Sequence, residues 1–119
     1  MDLPTESDLI AHLSADHVLQ IADKDGDGTA DSAFITTHLA RANTLAVSIA
    51  GEIDPTPAYL TGAQCDVAAY LMAKESRASL AEEHRKGFDD AIAMFHALRA
   101  PEFTGAEREF TISNTDGLI

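Results

Sequence analysis

Residues 23–31 read DKDGDGTAD and place four aspartates and two glycines within nine positions. Asp23, Asp25 and Asp27 fall at relative positions 1, 3 and 5, Gly28 at 6, Thr29 at 7 and Asp31 at 9. That is the first half of an EF-hand calcium loop. Hard carboxylate and carbonyl oxygens suit Ca²⁺ and argue against zinc or copper. Thr29 would contribute its backbone carbonyl, and the glycines would let the chain turn tightly around an ion. The second half fails, because position 12 is Phe34 rather than a bidentate Glu. A truncated loop of the form D-x-D-x-D-G-x-x-D offers fewer ligands. Without a second loop to pair with, it does not make a sensor. The competing reading is a solvated connection between helices, since Asp and Gly form turns and Asp31 caps the next helix with or without an ion.

The other reactive side chains form no such pattern. His12, His17, His38, His84 and His96 include no H-E-x-x-H, and His38 and His84 fall on apolar helix faces as core or interface histidines rather than ligands. Cys65 is the single cysteine, so neither an intrachain disulfide nor a thiolate zinc site can form. It lacks a basic neighbour to lower its pKa and reads as a buried, inert thiol. Asp66 is the odd residue in an otherwise apolar stretch, either on an exposed helix face or in polar contact with a neighbouring subunit. With no G-x-S-x-G and no phosphate-cradling glycine loop, an enzyme is not supported.

The elements that hold these residues read as helices. Thr5 with Asp8 resembles a capping box and starts a short helix near residue 6, whose stripe is Leu9, Ile10 and Leu13. Ser14 caps a second, ADHVLQIA, with Val18, Leu19 and Ile21 toward the core. Asp31 caps a third, over roughly 32–51, with Ile35, His38, Ala42, Leu45 and Ile49 at helical spacing. Gly51 and then DPTP end it. A fourth runs over about 58–74 on Leu60, Ala63, Val67 and Leu71, flanked by Tyr59 and Tyr70 and weakened by Gly62. Ser79 with Glu82 reads as a capping box for a fifth, on Leu80, His84, Phe88, Ala91, Ile92, Phe95 and Leu98. The fold class is thus all-α, with two short and three longer helices and the acidic loop between the second and third. Residues 1–100 form the helical domain. Residues 101–119 form an extended tail in which EFTIS is a candidate strand that orders on assembly.

A chain of 119 residues fits one domain with a sizeable core. With no Trp and few aromatics, Ala, Leu and Ile must supply that core, which favours close helix packing. Eight basic against 20 acidic residues give a formal net charge of −12. That balance offers no basic patch for nucleic acid and no attraction to an anionic membrane. It suits a surface that DNA slides past without sticking. The acidic start MDLPTESDLIAHL is not a signal peptide, and no apolar run is long enough to span a membrane, so a cytoplasmic protein is expected.

The order of DLIAHLS, the loop IADKDGDGTAD before a long helix, PTP, CDVAAY and a last helix resembles the small helical neck protein of Mu-like tailed phages. Members carry D-x-D-G-D-G-x-x-D, then P-x-P, then A-C-D-I-A-x-Y, and the resemblance covers about residues 5–100. It departs at LAVSIAG, where Val47 and Ile49 stand in place of an Asp and a Tyr. The resemblance implies an all-α head–tail connector, a virion protein of the neck assembled in the host bacterial cytoplasm. It implies a ring of about twelve copies under the portal, which extends the DNA channel and presents a surface to a downstream stopper or tail-terminator protein. DNA would pass without specific binding, no membrane would be involved, and no cofactor would be required, with Ca²⁺ as the one candidate. Asp66, Tyr70, Phe103, Phe110 and Ile112 are the candidate subunit or partner contacts. Two rival functions are a calcium-binding interaction module that uses the acidic loop and an acidic DNA-mimic regulator.

Overall fold

A computed structural model describes residues 1–23 and 25–99, and among these it has five helices and no strand. Helix α1 (Glu6–Leu13) begins on the anticipated capping box. Thr5 Oγ1 accepts from Asp8 N at 3.1 Å, and Thr5 N donates to Asp8 Oδ2 at 2.9 Å. A single residue, Ser14, separates α1 from α2 (Ala15–Ala22). Its N–H closes α1 on Ile10 O, its hydroxyl accepts from His17 N to open α2, and its φ of 103° makes the sharp corner between them.

The three longer helices are α3 (Ser32–Ala50), α4 (Ala58–Ser76) and α5 (Ala78–Arg99). Asp31 caps α3 through Phe34 N, and Gly51 at φ 86° ends it. The Pro-containing break before α4 includes a cis Asp54–Pro55 peptide bond. Helices α4 and α5 are joined by Arg77 alone and fold back as an αα-hairpin, with Tyr70 stacked on Phe88 at 4.6 Å between centroids. The expected capping box at Ser79 and Glu82 is not used. Helix α5 starts at Ala78, two residues earlier than a Ser79 cap would place it, in a tight turn in which Leu80 N donates to Arg77 O, so Ser79 lies inside the helix.

Helix α4 is the centre of the fold and packs against each of the other four helices. It is buried on nearly every side: Leu60, Val67, Ala68, Ala69, Met72 and Ala73 are inaccessible to solvent. Alanine is the commonest buried residue, as the composition required, and lets the axes approach closely. Small side chains also move the stripes. On α3 the residues that face inward are Ile35, Leu39, Ala42, Ala46 and Ala50, while Leu45 and Ile49 lie half-buried along the edge. Ile10, expected in the α1 stripe, is exposed, because an eight-residue helix lying on the outside presents only Leu9 fully to the core. No helix among the described residues is long and apolar enough to cross a membrane.

Candidate functional site

The acidic loop closes on itself before any ligand is considered. Asp31 N donates to Ala22 O at 2.8 Å and so ties the end of α2 to the start of α3. Above this base, Asp27 N donates to Asp23 Oδ1 and Asp25 Oδ1, and Gly28 N donates to Asp23 Oδ2. Thr29 donates both its N–H, at 2.9 Å, and its hydroxyl, at 2.8 Å, to Asp27 Oδ1. Those two donors, the backbone one foremost, hold the Asp27 carboxyl below the usual carboxylate range. Gly26 and Gly28 adopt φ of 75° and 86°, the left-handed region that the turn requires.

Asp23, Asp25 and Asp27 each bring one oxygen into a group whose members all lie within 4.8 Å of one another. That spread matches oxygens around one Ca²⁺ at about 2.4 Å. Asp31 lies outside the trio and spends Oδ1 on the α3 cap, while the Thr29 hydroxyl is bonded to Asp27, a bond that leaves the backbone carbonyl expected as its ligand atom untouched. Phe34, at the twelfth position, is buried in the core. The geometry is a three-carboxylate half-site on a preformed turn.

A second polar centre joins α1 to the hairpin. His12 Nε2 lies 2.7 Å from Asp66 Oδ1. Two helix glycines make room for the pair: a Cβ at Gly62 of α4 would meet His12 Cε1 at 3.3 Å, and one at Gly87 of α5 would meet Asp66 Cγ at 3.4 Å. The pair borders an open groove of about 370 Å³ that Ala58, Tyr59, Asp90 and Met94 also line. Asp66 therefore has an intrachain partner, although about a third of its side chain stays exposed on the groove. Tyr70 is half-buried against Phe88, with the Lys74 ammonium 5.9 Å from its ring. Phe103, Phe110 and Ile112 lie outside the described residues.

The histidines on apolar faces are satisfied internally. His38 is buried, its Nδ1 bonds to Phe34 O at 2.8 Å, and its Nε2 lies 2.8 Å from Glu75 Oε2, which Arg41 also reaches. His84 meets His17 across 67 residues of sequence, Nε2 to Nε2 at 2.9 Å. Cys65 is buried, and burial, with added push from the negative charges of Asp8 and Asp66, drives its thiol up to about 12. Sequence reasoning missed both long-range pairs, because no spacing rule relates residues 12 and 66 or 17 and 84.

The acidic loop, the break and the hairpin thus occur in one all-α body. A family model described as Bacteriophage Mu, Gp36 matches residues 4–110. The chain belongs to this family. No curated protein and no solved structure matches it. The Gp36 match takes in all five helices, the acidic loop and the His12–Asp66 slot, so each of these features belongs to the body of a bacteriophage protein.

Proposed function

We propose that the protein is a structural component of the virion that joins the portal of the head to the neck or tail, as a ring of about twelve copies around the DNA channel. The observation that carries this reading is the Gp36 family match over residues 4–110. The charge agrees with it. A net −12 per copy multiplies around a ring into a strongly negative channel, which repels phosphate and lets the genome pass without binding. Alanine-rich helices in thin layers suit wedge-like packing about an axis. The role is non-catalytic and requires no cofactor.

In this reading the partners are further copies of the chain, the portal, and a downstream stopper or tail-terminator protein. The groove beside Asp66 and the tail residues Phe103, Phe110 and Ile112 are the surfaces offered to them. Ca²⁺, if the half-site takes it, acts as a local staple of the loop between α2 and α3 rather than as a signal.

The deciding experiment is electron microscopy of particles made without this gene. Filled or leaking heads beside separate, complete tails are expected. Normal joined virions would overturn the reading. A chain truncated after Pro101 should keep its helical fold and fail to enter particles. Normal incorporation of the truncated chain would remove the tail from the assembly surface.

A further inference from the structure

Helices α2 and α5 pack mainly on other partners: α2 on α1, α3 and α4, and α5 on α4 and α3. Between the two stands the His17–His84 pair, with Nε2 atoms 2.9 Å apart, ring centroids 4.8 Å apart and ring planes at 82°. At that distance one nitrogen donates and the other accepts, so the bond requires one imidazole to be neutral. A second proton would leave two donors head to head and two like charges in contact.

Few neighbouring charges offset this. His84 is only 9% exposed, and its burial disfavours the cation. Burial first, and then the proximity of His17, hold its imidazole below the ordinary histidine range, while Glu83 on its own helix and Asp66 on α4 oppose this less strongly. Arg85 and Lys86, the next residues on α5, are engaged with Asp89 and Asp90. His17 follows Asp16 in the first turn of α2.

We propose that the His17–His84 bond is a pH-operated latch that fastens the first half of α5 to α2 at neutral pH and releases it in acid. The sign follows from the neutral form that folding selects. The latch is fully made above the unperturbed histidine pKa of about 6.5 and weakens progressively as the pH falls below it. The second half of α5 is anchored independently by Ala91 and Phe95, both buried in the core. Release therefore loosens the first half of α5, which Leu80, Ala81 and Phe88 still hold against the core, without unfolding the bundle. This inference stands apart from the proposed virion role.

The test uses the full-length chain in EDTA. Histidine Cε1–H titration by NMR should show His84 resisting protonation below the pH at which an exposed histidine titrates. Hydrogen exchange, corrected for intrinsic rates, should accelerate between pH 7.5 and 5.5 over residues 78–88 and stay constant over 91–98. His84→Gln keeps a hydrogen-bonding partner for His17 but cannot charge. The thermal midpoint of the wild type should fall about 4 °C further than that of this variant over the same interval. Equal pH dependence in both, or ordinary titration of His84, overturns the latch. Should His84→Gln not fold, His17→Gln and the wild-type titration decide by the same criteria.

Discussion

His12 and Asp66, 54 positions apart, form a 2.7 Å pair that two glycines on different helices make possible. Gly62 is unfavourable in a helix interior by up to about 1 kcal/mol relative to Ala. Its presence in α4 is explained by the His12 ring that lies over it.

That relationship predicts a coupling. In the wild type, Gly62→Ala should change stability little, because the gain in helix propensity is offset by displacement of the His12 ring. In a His12→Ala background the same substitution should stabilise by about 1 kcal/mol. A double-mutant cycle in urea measures the difference. An identical effect in both backgrounds would remove the steric role assigned to Gly62.

The loop separates into a cap and a half-site. Asp31→Ala should cost about 1 kcal/mol whether or not calcium is present, since it deprives Phe34 N of its acceptor. Ca²⁺ at ten times its Kd should stabilise the wild type by about 1.4 kcal/mol over EDTA, and Asp25→Asn should diminish that gain. Thermal melts of the three proteins with and without millimolar Ca²⁺ suffice. A midpoint indifferent to Ca²⁺ in the wild type would leave the trio as turn architecture alone.

Cys65 is a probe of the hydrophobic seam of α4. With its pKa pushed up to about 12, the thiolate is scarce at pH 8. A thiol reagent at that pH should leave the folded protein unmodified and label it fully in guanidinium. Rapid labelling of the native chain would contradict the burial described for this helix.

Phe95 is the largest fully buried side chain and anchors the second half of α5. Phe95→Ala should lower stability by about 3–5 kcal/mol. Denaturant titration followed by circular dichroism reads this directly, and a loss under 1 kcal/mol would mean that this end of α5 is not packed as described.

The helices were legible in the sequence because the signals are local. Thr5 with Asp8, Ser14, Asp31 and Gly51 mark ends through bonds made within four residues, and each does so in the structure. Ser79 was misleading for the same reason. Its capping pattern is sound locally, but Arg77 had already turned the chain. Legibility fell where alanine replaced larger residues. On α3 the apolar Leu45 and Ile49 lie at the stripe's edge, while Ala46 and Ala50 take the interior, because close axes leave room only for a methyl group. The loop's first half was readable from Asp and Gly spacing. That Asp23, Asp25 and Asp27 converge while Asp31 stays outside their group emerges only from the folded geometry. The pairs His12–Asp66 and His17–His84 depend on how the hairpin meets α1 and α2, and the sequence carries no trace of that meeting.

Helix α4 touches every other helix through side chains that are mostly a single methyl or slightly larger. A carbon added at Ala68 or Ala69 therefore cannot be absorbed by one neighbour and is transmitted to several. The outer faces of α1, α3 and α5 have no such obligation. In a saturation-mutagenesis experiment the chain should behave as an intolerant axle carrying permissive spokes, with room to re-tailor the rim to a new mating protein while the axle is left untouched.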